Sequence, residues 1–365
     1  MKFKEKVTKI TKKKINRFIS IAVITGSLIL NTISFETKPK IIPEYKRTMD
    51  TLIMHYQPDK FTIQKEIIYN LPKYSKIIYL VDECFEKRLE NECNLLTERN
   101  IQIITCNLNP RFKLFIQDQM EIMIQNNKPL ILLPTYFQIE PNIELEKTLV
   151  SAGFEVHKTK VLFSGGNITS DYFNKKNILF IGETEINLNL KYYPDLSKEN
   201  IINMFKEEFY VDTVCVIGPQ NPNFMYHLDQ TFMIIRPGEV IIYDLKVPIL
   251  FQDKIPKEVV QVLENTKITF EGLNYKIHTL PLDIKDLFQG KYYLCGIPYT
   301  DKQTKEQRVI LPLFPEEKML YPIASKNNRE VRNFFIDLEV YPSSINDYLF
   351  YTRSGGLHCI ISVCK

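Results

Sequence analysis

Three short segments carry side chains that could do covalent chemistry on a cation. The first is Phe115-Ile116-Gln117-Asp118-Gln119-Met120-Glu121, the second is the pair His227 and Asp229 around Leu228, and the third is Gly355-Gly356-Leu357-His358-Cys359. A cysteine thiolate is a nucleophile, a histidine moves protons near neutral pH, and two carboxylates can hold a planar cation through charge-assisted hydrogen bonds. Taken singly, each group is more often structural. As an ordered set they point to cysteine chemistry on a cationic substrate.

The elements that must position these residues alternate from about Lys76 onward. Short β-branched runs predict strands over Lys76–Val81, Ile101–Cys106, Pro129–Leu133, Asn177–Ile181, Thr213–Ile217 and Tyr292–Cys295. Amphipathic stretches predict helices over Lys87–Arg99, Glu144–Ala152, Asn200–Phe209, Pro256–Asn265 and Asn328–Phe335. Two segments read as hairpins, Thr231–Asp244 turning at Pro237-Gly238 and Lys267–Pro281 turning near Gly272. The chain has no GxGxxG, no P-loop and no HExxH, so a mixed α/β domain is expected rather than a doubly wound nucleotide-binding one. Residues 71–365 are expected to form this single catalytic domain, with 35–70 as linker or edge structure.

Net charge is +4, but residues 1–17 alone carry +7, which leaves −3 for the rest. A mildly acidic body lacks the spread of Lys and Arg that phosphate neutralisation requires, so no nucleic-acid partner is expected. After the basic run, Phe18–Ile33 is uncharged and shorter than a comfortable membrane span. Residues 1–34 therefore read as a signal peptide or membrane anchor, giving a secreted or membrane-anchored, extracytoplasmic protein. The seven cysteines, Cys84, Cys93, Cys106, Cys215, Cys295, Cys359 and Cys364, show no paired CxxC spacing for zinc. Cys106, Cys215 and Cys295 lie in apolar runs and are expected to be buried thiols.

The segment Phe115-Ile116-Gln117-Asp118 resembles the signature of protein-arginine deiminases, members of the guanidino-group-modifying (pentein) superfamily. His227-x-Asp229 matches the next motif, and Arg353 followed by Gly355-Gly356-Leu357-His358-Cys359 resembles the closing one. Phe163-Ser164-Gly165-Gly166-Asn167 resembles the superfamily's glycine pair, with Ser164 where many members have Glu. The resemblance spans about two thirds of the chain, Phe115 to Cys359. It implies a pentein-type α/β propeller of pseudo-fivefold ββαβ units. It also implies Cys359, His227, Asp118 and Asp229 as catalytic residues, and Arg353, Phe115 and Gly356 as substrate-binding ones. Gln117 and Glu121 match calcium-ligand positions of the vertebrate members, whereas Gln119 replaces the Glu those members carry after the catalytic Asp. No other cofactor is implied.

The implied reaction is hydrolytic deimination of arginine in a protein or peptide partner. A guanidinium is planar, permanently charged and resonance-stabilised, so its central carbon must be both anchored and attacked by a strong nucleophile. Deimination of a small guanidine such as free arginine or agmatine is the near alternative. Amidinotransfer stands beside it, since the same covalent intermediate can pass to an amine. An exported binding protein that keeps the fold without turnover is the alternative of a different class.

Overall fold

A computed structural model describes residues 38–96, 98–106, 120–134, 141–221, 223–246, 254–314, 324–346 and 362–364, all but Lys38 within the unit Pro39–Lys365. The chain opens with strands β1 (Lys40–Ile41) and β2 (Thr51–His55), helix α1 (Phe61–Asn70), strand β3 (Lys76–Val81), helix α2 (Glu86–Cys93) and strand β4 (Asn100–Thr105). Next come β5 (Glu121–Gln125), β6 (Lys128–Leu133), α3 (Pro141–Ser151) and β7 (Glu155–Lys158). They are followed by β8 (Ile168–Phe173), β9 (Lys176–Gly182), α4 (Glu183–Tyr192), α5 (Lys198–Glu208) and β10 (Thr213–Ile217). The fourth group is β11 (Phe232–Arg236), β12 (Glu239–Lys246), α6 (Lys257–Gly272), β13 (Lys276–Asp283) and α7 (Ile284–Phe288). Finally β14 (Ile297–Thr300), β15 (Gln307–Leu313), α8 (Ala324–Asp337) and β16 (Tyr341–Asn346) lead towards β17 (Ser362–Cys364).

One pairing pattern recurs in five sheets. In each, a first strand lies antiparallel to a second, and the second runs parallel to a third reached through a helix: β5-β6-β7, β8-β9-β10, β11-β12-β13 and β14-β15-β16. The remaining unit takes its first strand from far along the chain. There β17 pairs antiparallel with β2, which runs parallel to β3, and β4 extends the sheet. Parallel pairing requires such crossovers, whereas the antiparallel pairs inside one unit need only short turns.

Side-chain alternation explains how these sheets stack. In β3, Ile77, Tyr79 and Val81 enter one apolar cluster while Ile78 and Leu80 enter another. In β9, Ile178 and Phe180 separate from Leu179 and Ile181 in the same way. Strands buried on both faces read as unbroken apolar runs. The clusters bridge neighbouring units around a ring. Ile53 and Ile78 meet Ile122 and Ile131; Met123 and Leu130 meet Phe163 and Leu179. Phe180 meets Phe232 and Phe270 in a cluster that extends to Val309 and Leu311, and Ile297, Tyr299 and Ile310 return to Leu52 and Tyr79. Five ββαβ units closed in this way make an α/β propeller, as expected.

Three sequence expectations give way. Residues 39–70, read from sequence as linker or edge structure, hold the interior strand β2 and helix α1, and Met49, Leu52, Ile53 and Ile67 there are fully buried. The expected hairpin over Lys267–Pro281 is instead the end of α6 followed by β13, which pairs parallel with β12. The β-branched run misleads because Val259, Val262, Leu263, Thr266 and Phe270 keep a helical period toward the core. The Thr266 and Thr269 hydroxyls also bond back to the carbonyls of Val262 and Asn265. Tyr292–Cys295 is not a strand. Its amides are committed elsewhere, Leu294 N–H to the Tyr243 hydroxyl at 2.8 Å and Cys295 N–H to the Tyr292 carbonyl at 3.2 Å, and pairing begins only at Ile297.

Candidate active site

The first strands of the five units begin at Glu121, Ile168, Phe232, Ile297 and Ser362. Three positions ahead of each start stand Asp118, Gly165, Asp229, Leu294 and Cys359. Among the described residues, Gly165 and Asp229 thus hold one station of the repeat, each ahead of the first strand of a different unit. Of the residues singled out for chemistry the structure places Gly165, Asp229 and its neighbour His227. Phe115, Gln117, Asp118, Arg353, Gly356 and Cys359 lie outside the described residues.

His227 and Asp229 sit on a 3-10 turn, Leu228–Gln230, that feeds β11 through Thr231. Leu228 is fully buried and fastens the turn, while His227 and Asp229 beside it stay half-buried. Gln230 Oε1 accepts the His227 N–H at 3.3 Å, so the turn closes on its own side chain. The exposed Tyr226 ring lies over the imidazole, with centroids 4.9 Å apart and planes tilted by 34°. Ser164 Oγ is 3.5 Å from His227 Nε2, long for a hydrogen bond. The Ser164 hydroxyl, where the resemblance would place Glu in many members, therefore faces the expected acid–base group.

A second 3-10 turn, Gly165–Asn167, feeds β8, and Asn167 ties the two turns together. Its Oδ1 accepts from Leu228 N–H at 3.2 Å and from Gln220 Nε2 at 2.6 Å, while its Nδ2 donates to Thr184 Oγ1 at 2.7 Å and Glu185 Oε1 at 2.9 Å. Gln220 also donates to the Tyr226 carbonyl at 2.8 Å and accepts the Thr184 N–H at 3.1 Å. That last bond satisfies one of the first-turn amides of α4, which have no partner within the helix. Sequence reading overlooked Asn167, Thr184 and Gln220 as site residues; a buried Asn directly after a glycine pair is the one signal that could have marked them.

The hub needs a glycine at 182. A Cβ there would fall 2.2 Å from Asn167 Oδ1, among the atoms that hold Leu228 and Gln220. Gly182→Ala is expected to destabilise the protein by about 2 kcal/mol through overpacking and to lower kcat/KM by displacing the His227–Asp229 turn. Urea unfolding and steady-state kinetics check this. Wild-type values in both would sink the hub's assigned role.

Asp229 Oδ2 accepts a hydrogen bond from the Cys295 thiol at 3.4 Å. Cys295 and Cys106 are buried as expected, whereas Cys215 is half-buried. Burial pushes the Cys215 thiol up to about 11, and burial followed by the nearby Glu92 charge does the same for Cys93. Neither offers much thiolate at neutral pH. Glu121 does not suit the calcium role raised from sequence. It is buried, its carboxylate is held by the Arg47 guanidinium, and its Oε1 accepts the Ile122 N–H at 3.0 Å. Among the described residues no cluster of three or more His, Cys, Asp or Glu side chains could hold a metal ion.

Comparison with known proteins agrees with the five-unit fold. Residues 74–362 match the Porphyromonas-type peptidyl-arginine deiminase family. Proteins of Shewanella baltica and Shewanella putrefaciens, both named for agmatine deiminase, are 23% identical to the chain over 229 and 233 residues. Each match covers 59% of this chain and 60% of the relative, so the chain spans well under two thirds of these curated relatives. Solved structures share the five-unit fold across almost their whole length. A C. jejuni agmatine deiminase superposes with a TM-score of 0.65 at 15% identity, covering 89% of this chain and 96% of that one. A Porphyromonas gingivalis protein assigned as an arginine deiminase gives 0.66 at 14% identity, covering 90% and 98%.

Proposed function

The chain belongs to the Porphyromonas-type peptidyl-arginine deiminase family, in the pentein superfamily, and from that premise we propose that it hydrolyses the guanidino group of peptidyl arginine to give a citrulline side chain and ammonia. The observation that supports the reading is the family match over residues 74–362, together with His227 beside Asp229 on a turn pinned by Asn167. Asp118 and Asp229 bind the guanidinium N–H groups through charge-assisted bonds. The Cys359 thiolate attacks the central carbon, forming a C–S bond. One C–N bond then breaks, and the imidazolium of His227 protonates the departing ammonia. The neutral imidazole takes a proton from water, and the resulting hydroxide adds to the thiouronium carbon. The C–S bond breaks as the added hydroxyl gives up its proton to the released ammonia or solvent, which returns the thiolate and leaves the neutral ureido product. Arg353 is assigned to the peptide backbone of the substrate, Phe115 to the arginine stem, and Gly356 to substrate binding.

A small guanidine is the second reading, favoured by the name the Shewanella relatives carry. Release of ureido product and ammonia by the purified protein, measured with and without calcium on a blocked peptidyl arginine, free arginine and agmatine, separates the two. Turnover confined to the blocked peptide and lost in Cys359→Ala is the expected result. Preference for agmatine or free arginine moves the activity to small guanidines. No ureido product from any of the three overturns the deiminase proposal.

A further inference from the structure

We infer that Cys295 is a positioning residue, which orients the Asp229 carboxylate for the guanidinium; the inference rests on the deiminase reading above. Four of the five first strands are preceded by groups already given a part: Asp118, the Gly165–Asn167 turn, Asp229 and Cys359. In the remaining unit the station falls at Leu294, and the adjacent Cys295 points its thiol across to the neighbouring unit, where Sγ lies 3.4 Å from Asp229 Oδ2. Cys295 is fully buried. A buried thiol ordinarily packs as a small apolar group, yet this one meets a carboxylate oxygen.

The segment that carries it is fixed by its backbone. Leu294 N–H donates to the buried Tyr243 hydroxyl at 2.8 Å, and Cys295 N–H closes a turn on the Tyr292 carbonyl at 3.2 Å. On the other side, a Cβ at Gly296 would lie 2.7 Å from the Ile310 carbonyl oxygen, so the chain there presses directly on β15. With its carrier held on both sides, the thiol restrains rotation of the Asp229 carboxylate before substrate arrives, which is the preorganisation a planar cation rewards. The donor's weakness suits the task. A thiol is neutral and bonds weakly, so it fixes the direction of the carboxylate without drawing its charge away from a cation, as Lys or Arg would.

The test compares Cys295→Ala and Cys295→Ser in the full chain, using benzoyl-arginine amide as substrate. Loss of the donor is expected to raise KM about tenfold, with kcat altered less than about threefold, and serine, which restores a donor, to return KM to within about threefold of wild type. The Cys295 S–H stretch, taken from infrared difference spectra against Cys295→Ser, is expected to lie below that of a thiol in apolar surroundings and to move when Asp229→Asn is introduced. An unchanged KM in Cys295→Ala, or serine as impaired as alanine, overturns the inference. If Cys295→Ala does not fold, as judged by circular dichroism, the serine variant and the infrared band decide. A wild-type protein that turns over no guanidine refutes the proposed function instead; an S–H band indifferent to Asp229→Asn then refutes the contact as well, while a band that moves upholds it.

Discussion

Replacing His227 by glutamine is expected to lower kcat by about 10²–10⁴-fold, the usual contribution of a positioned proton-transfer group. Glutamine fills a similar volume and can still hydrogen-bond near Ser164, but it cannot pass a proton at neutral pH. The turn should survive the change, because fastening from neighbours remains: the buried Leu228 side chain, the Leu228 N–H bond to Asn167, and Gln220 on the Tyr226 carbonyl. Stability should therefore stay close to wild type while turnover falls. The imidazole is assigned two proton transfers, one to ammonia and one from water, so rapid mixing with substrate should show whether the first turnover or the second is the slower in the variant. A kcat within tenfold of wild type would remove His227 from the mechanism.

The Arg47–Glu121 pair should dominate a different measurement. Arg47 is buried and joins three regions: its guanidinium holds Glu121 at the start of β5, its Nε donates to the Ile42 carbonyl at 3.3 Å, and its carbonyl accepts the Thr300 N–H at 3.0 Å. Removing one member of such a pair leaves an uncompensated buried charge, and Arg47→Met is expected to cost about 3–5 kcal/mol at neutral pH. The loss should depend on pH in a definite direction. Burial, the largest influence, pushes the Glu121 carboxyl up even with Arg47 present to oppose it. Without Arg47 it rises further. For a group whose folded value is raised, stability is fully present below the unfolded value and is lost as pH rises through the folded one. The deficit of Arg47→Met should therefore be greatest near pH 7 and shrink on acidification as Glu121 takes a proton. Adding Glu121→Gln should recover much of the neutral-pH loss. Urea unfolding of the wild type and the two variants at pH 7 and pH 5 checks this, and a deficit independent of pH would mean that packing, not charge, sets the cost.

What could be read from sequence follows from which interactions are local. Strands β3 and β10 fall where their β-branched runs predict them, and the β11–β12 hairpin turns at Pro237-Gly238 as its turn chemistry requires. His227 and Asp229 stand out only through their match to a family motif, since an HxD triplet by itself arises often by chance; the structure places the two on one turn. The rest depends on partners far apart in the chain. Leu228 meets Asn167 across 61 positions, Gln220 meets Asn167 across 53, and Cys295 meets Asp229 across 66. No periodic pattern encodes such meetings. Glu121 shows the same limit from the other side, since a carboxylate suited by type to a cation is taken by an arginine 74 positions earlier.

The pairing of β17 with β2, Ser362 opposite Ile53, joins stretches from opposite ends of the described chain. Contacts of such wide separation carry a large closure entropy and belong to the slow part of folding. The other four first strands find their partners a turn away and can form early. Among the described residues, the sheet that holds β17 is thus completed by the pairing of widest separation along the chain. Maturation of activity should then lag behind the growth of secondary structure during refolding, and a nascent chain would expose its thiols well before its last sheet closes.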